Sequence, residues 1–252
     1  MITRQFITEL ATKLQTTEPN MVREYCQHLF LSYFYKKPKS EKIIFKGGTA
    51  LRIIFKSPRF SEDLDFSAIN EGIITIQEIN KLIDDTLTDI KNEGVECEKI
   101  LNPGTQGETT GGYFAVIKMK MLEFDSEIRL QISFRSPNEA ISNTTLVQNE
   151  FISAYVMIHL TESLLVSEKI RALLDRKKPR DFFDLYFILR HSELVKFIPA
   201  IPNLKNQLLE IINQEENIGK KLKIFLPISY QTLLRDFKER LQKEIEMHIS
   251  NN

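Results

Sequence analysis

The stretch from Ile43 to Phe66 constrains this chain more than any other part of it. An apolar run, Ile43-Ile44-Phe45, leads into Lys46-Gly47-Gly48-Thr49, then a segment of helical character from Ala50 to Lys56, then Arg59-Phe60-Ser61-Glu62-Asp63-Leu64-Asp65-Phe66. The order reads strand, glycine turn, helix, acidic strand. The two glycines end the strand without a Cβ penalty and let backbone N–H groups approach an anion where the helix begins. In the last segment, alternation of side chains puts Asp63 and Asp65 on one face and Leu64 and Phe66 on the other. Two carboxylates so close repel each other, and a divalent cation held by oxygen ligands beside nucleotide phosphates is the common way to offset that repulsion. Taken singly, a Gly-Gly turn is most often a tight connection and Asp-x-Asp a solvated strand face. The specificity comes from finding both in adjacent elements.

The rest of the composition narrows the classes. A chain of 252 residues has room for one large domain or two small ones. Lys plus Arg and Asp plus Glu both number 34, so no global field draws the protein to nucleic acid or membrane, and any basic site must be local. Cys26 and Cys97 have no zinc spacing with any histidine, and a reducing cytoplasm suits them. The first residues, Met1 to Leu14, mix charged and apolar side chains, and no apolar run approaches a membrane span. The expectation is a soluble, cytoplasmic protein with no membrane partner.

Taken in order, residues 3 to 35 carry apolar positions at helical spacing and predict two helices, with Thr17 as a cap before Pro19. Thr49 is a cap candidate whose hydroxyl and N–H are equally suited to meet a phosphate. Ile76 to Ile90 reads as a helix opened by a Thr75/Glu78 capping box. Val95 to Ile100, Tyr113 to Met121 and Glu127 to Phe134 alternate as strands with one buried face, and the glycine-rich stretch Asn102 to Gly112 is a loose hairpin tip. Leu164 to Arg176 is helical and sets Lys169 in the middle of its apolar face, where a lysine either snorkels to water or holds an anion. Arg171, Arg176, Lys177, Lys178 and Arg180 form the densest basic run. Such a run is ordinarily a solvated loop; if the acceptor is RNA, Arg176, Lys177, Lys178 and Arg180 are where its backbone would lie. Pro179 starts another helix. In it Asp184 has Phe187 and Ile188 one turn on, so it needs a partner: Arg180, Lys169 or a ligand. The C-terminal part is helical by pattern over Leu204 to Ile212 and Tyr230 to Met247.

Two blocks, Lys46 to Phe66 with Gly-Gly-Thr-Ala-Leu and Arg-Phe-Ser-Glu-Asp-Leu-Asp-Phe, and Glu168 to Tyr186 with its lysine and Arg-Asp-Phe-Phe-Asp-Leu-Tyr, resemble the signature of the AbiEii/AbiGii toxin family of nucleotidyltransferases in the DNA polymerase beta superfamily. The likeness extends by element order from Ile43 to Leu189. It implies an α+β fold: a mixed sheet flanked by helices over residues 1–160, then a helical bundle over residues 161–252 that contributes Lys169 and Asp184 to the site. It further implies that Asp63, Asp65, Lys169 and Asp184 are catalytic, with Asp63 and Asp65 holding Mg²⁺ or Mn²⁺. Lys46, Gly47, Gly48, Thr49, Arg59 and Ser61 would bind the nucleoside triphosphate. The activity implied is transfer of a nucleoside monophosphate from an NTP to an acceptor hydroxyl, with the 3′ end of tRNA as the expected acceptor, by the toxin of a toxin–antitoxin or phage-defence system with a winged-helix antitoxin as partner. One position departs from the superfamily pattern: by resemblance the third metal carboxylate falls at Gln131, an amide. Glu127 on the same strand face would sit roughly 13 Å away at ~3.3 Å per residue. That departure keeps open a second reading, a catalytically impaired nucleotide- or RNA-binding module, beside a third in which a protein hydroxyl accepts the nucleotide.

Overall fold

The computed structural model describes residues 2–69, 74–134, 142–216 and 218–250. The chain folds into two compact units, Met1–Lys56 with Phe60–Leu160, and Ser57–Arg59 with Thr161–Asn252. The chain leaves the first unit for three residues and returns to it just before the acidic strand.

The first unit is α+β. Its helices are α1 (Arg4–Lys13), α2 (Glu18–Phe34), α3 (Gly47–Ile53) and α4 (Ile76–Asn92). Its strands are β1 (Ile43–Lys46), β2 (Asp63–Ala68), β3 (Glu96–Ile100), β4 (Glu108–Thr109), β5 (Gly112–Met121), β6 (Phe124–Ser133), β7 (Ser142–Val147) and β8 (Tyr155–Leu160). They form one mixed sheet in the order β3-β5-β6-β2-β1-β8-β7, with β4 paired to β5. Helix starts follow the capping chemistry: the Thr17 side chain accepts from Asn20 N–H, and Thr75 and Glu78 form a complete capping box. Leu64 and Phe66 of β2 turn toward the packed helices, the Phe66 ring lying 5.5 Å from that of Phe34 and 5.3 Å from that of Phe45. Ile128, Leu130 and Ile132 of β6 are buried in the same alternation, while Arg129 and Gln131 between them are exposed. The sheet therefore keeps one apolar face against helices and one polar face that carries Asp63 and Asp65.

The second unit is a helical bundle of α5 (Glu162–Arg176), α6 (Pro179–Arg190), α7 (Leu204–Gln214), α8 (Ile218–Leu222) and α9 (Phe237–His248). Helix α6 is buried along Asp181–Tyr186 and again at Ile188 and Leu189, so it forms the centre of the bundle. Phe183 stacks on Phe237 of α9 at 6.1 Å, and Glu244 of α9 accepts a 2.6 Å hydrogen bond from Arg190.

Several boundaries differ from the sequence expectation. The first short helix begins at Gly47 rather than Ala50, because Gly47 and Gly48 are its opening residues and Lys46 is its N-cap. Thr49 is therefore inside the helix and caps nothing. The last helix starts at Phe237, not Tyr230; Ile228–Tyr230 forms a single 3-10 turn before it. Strands β7 and β8 have no counterpart in that expectation, and the glycine-rich tip contains the short strand β4, which pairs through Glu108 with Tyr113 and through Thr109 with Gly112.

Candidate active site

Within the first unit the site is assembled by strand register. On antiparallel β1–β2, Lys46 lies opposite Asp65; on parallel β2–β6, Asp63 lies opposite Arg129 and Asp65 opposite Gln131. Gln131 thus occupies the sheet position beside Asp65 at which the resemblance calls for a third carboxylate. Asp63 is buried and Asp65 half-buried. Gly47 has φ +87, and a Cβ built on it would lie 2.2 Å from Oδ2 of Asp65. The Asp65 carboxylate fills the space that a side chain at position 47 would take, so the turn glycine and the acidic strand are fitted to each other. Strand β1 ends at Lys46, and beyond the end of that ladder the Thr49 hydroxyl donates to the Asp63 carbonyl oxygen. Thr49 is fully buried, and its proton is committed to holding α3 on the acidic strand rather than to a ligand. Ser61 stands just before this strand, its carbonyl accepting from the Gln27 side chain at 2.9 Å.

The donors at this end are hard oxygens: two carboxylates, with the Gln131 amide in the neighbouring strand. Among the described residues no three His, Cys, Asp or Glu side chains converge on one point. Such an oxygen-only set fits a small divalent cation that keeps much of its own water, and the close seating of Asp65 on Gly47 fixes one ligand in place. Asp63 and Asp65 are the side chains that would hold it, with Gln131 beside Asp65 in the next strand.

The second unit carries its own cluster. Arg59 donates to Asp184 in a bidentate pair, Nε to Oδ1 at 2.8 Å and Nη2 to Oδ2 at 3.0 Å, and Lys169 Nζ donates to Oδ2 at 2.7 Å. All three are buried; the Asp184 side chain is 1% exposed. Burial pushes the Asp184 carboxyl up, but the charges of Arg59 and Lys169, with their hydrogen bonds, outweigh it and hold it at about 2. The partner of Asp184 is therefore Lys169 together with Arg59, not the nearby Arg180. Lys169 does not snorkel; its amine is fixed inside the bundle. In the basic run, Arg176 is tied to the buried Asp181 by two hydrogen bonds of 2.8 and 2.7 Å, whereas Lys177 and Lys178 are exposed.

The family described as "Nucleotidyl transferase AbiEii toxin, Type IV TA system" matches the chain over residues 29–247, most of its length and both units. The chain belongs to this family. It is a nucleotidyltransferase of the AbiEii toxin type. No curated protein sequence matches it. Among solved structures it is similar to JHP933 from Helicobacter pylori, with a TM-score of 0.58 and 20% identity over 92% of each chain. It is also similar to MenT4, a nucleotidyltransferase toxin from Mycobacterium tuberculosis, with a TM-score of 0.66 and 14% identity over 97% of this chain and 89% of that one. At such identity these structures share the fold. They agree with the mixed sheet flanked by helices and the helical bundle found here.

Some features of this AbiEii chain leave no trace in the sequence. The Arg59–Asp184 pair joins residues 125 positions apart, and only the demand of a buried carboxylate for a cation points toward it. Phe114 gives no signal at all; it emerges as a neighbour of Gln131 through the β5–β6 register. No helix among the described residues is long and apolar enough to cross a membrane.

Proposed function

We propose that this AbiEii nucleotidyltransferase transfers a nucleoside monophosphate from an NTP to the 3′-terminal hydroxyl of tRNA, with Asp63 and Asp65 holding Mg²⁺. The observation that carries the reading is the fit of Asp65 to Gly47 on the polar face of the sheet, which sets a carboxylate against a backbone with no side chain in between. A bound Mg²⁺ would neutralise the triphosphate and favour in-line attack on the α-phosphorus. In the transfer, the acceptor oxygen forms the new bond to that phosphorus. The bond from phosphorus to the oxygen bridging toward the β-phosphate breaks, pyrophosphate leaves with the electron pair, and the acceptor's proton passes to water. Gly47 and Gly48 let the backbone approach the phosphates, and Lys46 adds positive charge beside Asp65. Lys169, held by Asp184 and backed by Arg59, is a fixed ammonium suited to charge that grows on the departing phosphates. The exposed Lys177 and Lys178, with Arg176 and Arg180, would meet the acceptor's backbone.

The test is incorporation of labelled nucleotide from each of the four NTPs into total tRNA with Mg²⁺. Incorporation that is lost on chelation and in Asp65→Ala supports the reading; no incorporation with any NTP overturns it. Gln131 beside Asp65 favours one second reading, a nucleotide-binding protein with weakened turnover, whose signature is NTP binding without incorporation. A type IV toxin–antitoxin system brings an antitoxin with it. We further propose a winged-helix antitoxin, a role in phage defence and a cytoplasmic location, all of which make growth arrest on induced expression, relieved in Asp63→Ala, the expected cellular readout.

A further inference from the structure

A cleft of about 460 Å³ opens on the polar face of the sheet, lined among others by Lys46, Asp65, Thr110, Phe114, Gln131 and Ser133. Its floor is a single row across four adjacent strands. Lys46 pairs with Asp65, Asp65 with Gln131, and Gln131 with Phe114, by the registers of β1–β2, β2–β6 and β6–β5. At about 4.8 Å per strand the row runs roughly 14 Å from the backbone of Lys46 to that of Phe114. Its chemistry changes in one direction: cation, carboxylate, amide, aromatic. A nucleotide is graded in the same way and over a similar reach, from anionic phosphates through a hydroxylated sugar to a flat, apolar-faced base.

We propose that the far end of this row is a nucleobase site, with Phe114 as the stacking surface and Gln131 reading the base edge. The amide of Gln131 presents a donor and an acceptor side by side, the pattern that pairs with the edge of a base. Aromatic stacking needs no particular base, so Phe114 supplies affinity and Gln131 supplies preference. On this reading the amide at position 131 has exchanged a place in the metal shell for a place in substrate choice.

The hairpin beside Phe114 is anchored from the other, helix-covered face of the sheet, where the Tyr113 side chain is buried. Asn80 of α4 donates through Nδ2 to the Gln106 carbonyl at 2.7 Å, and its Oδ1 accepts from the Tyr113 hydroxyl at 2.9 Å. Gly107, at φ +90, lies so close on the Tyr113 ring that a Cβ there would come within 2.2 Å of it. Phe114 N–H donates to the Gly107 carbonyl at 2.8 Å. The hairpin that closes the cleft is thus tied to the residue preceding Phe114 and to Phe114 itself.

The proposal rests on the NTP-dependent transfer above, and direct binding separates the two. Affinities of the full chain for the four NTPs and for inorganic tripolyphosphate, each with Mg²⁺, are measured for wild type, Phe114→Leu and Gln131→Met, with folding checked by circular dichroism. In Phe114→Leu every NTP is expected to bind about tenfold more weakly while tripolyphosphate binds as before. In Gln131→Met the spread among the four NTPs is expected to collapse. If instead NTP affinities hold and the KM for acceptor RNA rises in Phe114→Leu, the base in the cleft is the acceptor's terminal one, and the nucleobase assignment stands. Unchanged NTP affinity with unchanged acceptor KM, or an equal loss for tripolyphosphate, overturns it. Base-dependent binding without incorporation by wild type would sink the transferase reading and leave the base site in place.

Discussion

Position 47 shows how much of this site is decided by one missing methyl group. Any Cβ there meets the Asp65 carboxylate at 2.2 Å and requires a non-glycine residue at φ +87. Both effects act in Gly47→Ala, which should lose about 1–3 kcal/mol of stability in a urea titration and all measurable incorporation. In an Asp65→Gly background the clash disappears while the backbone strain stays, so Gly47→Ala should cost distinctly less there; an equal cost in both backgrounds would mean that the carboxylate does not occupy the glycine's space. Asp184 is the complementary case. Asp184→Asn leaves the buried Arg59 and Lys169 without this anion and should destabilise the second unit by about 3–5 kcal/mol. Lys169→Met removes one of two cations and leaves the bidentate Arg59–Asp184 pair intact. It should cost much less stability while abolishing turnover, and a double-mutant cycle on folding free energy measures the difference.

At the scale of elements, Asn80 ties α4 to the β4–β5 hairpin. Asn80→Ala removes the donor to the Gln106 carbonyl, the acceptor of the Tyr113 hydroxyl and one of the acceptors of the Lys99 amine, which keeps the Asp84 carboxylate. The expected result is a loss of about 1–2 kcal/mol and faster proteolytic cleavage between residues 102 and 111, with α4 still helical. Elements differ in how much of them the sequence discloses. Helix α4 is legible because its capping box and apolar spacing are local, and β6 because its alternation is complete. Asp63 and Asp65 stand out for the same reason. Strand β7 is an edge strand, exposed along most of its length, and β8 is apolar at nearly every position, so neither shows the alternation that identifies a half-buried strand. Thr49 misleads because a threonine near a helix start is ordinarily a cap; its bond to Asp63 depends on where β1 stops relative to β2, which no local pattern encodes. The row from Lys46 to Phe114 is likewise a product of three registers, visible only once the sheet is assembled.

Across the whole molecule, acid should act on the two units at different pH. In the first unit His28 is buried, bonded to the Tyr155 hydroxyl at 2.9 Å and packed against the ring of Phe151. Burial, reinforced by the charges of Lys56 and Arg52, pushes its imidazole down to about 3. The folded unit therefore keeps His28 neutral through a range in which the unfolded chain protonates it near its ordinary 6.5. Protons bind preferentially to the unfolded state between those values, so stability falls as pH drops from 6.5 toward 3, by up to about 1.4 kcal/mol per pH unit. In the second unit Asp184 titrates at about 2 when folded against 3.8 when unfolded, so its contribution is whole above 3.8 and is lost only as pH falls toward 2. Hydrogen exchange resolved by peptide, at pH 7 and near pH 4.5, should show protection falling in α2 and β8 of the first unit and holding in α5 and α6 of the second. His28→Gln keeps a neutral hydrogen-bonding side chain beside Tyr155 and should flatten the fall. A first unit that loses protection in acid equally with and without His28 would assign the sensitivity to other groups.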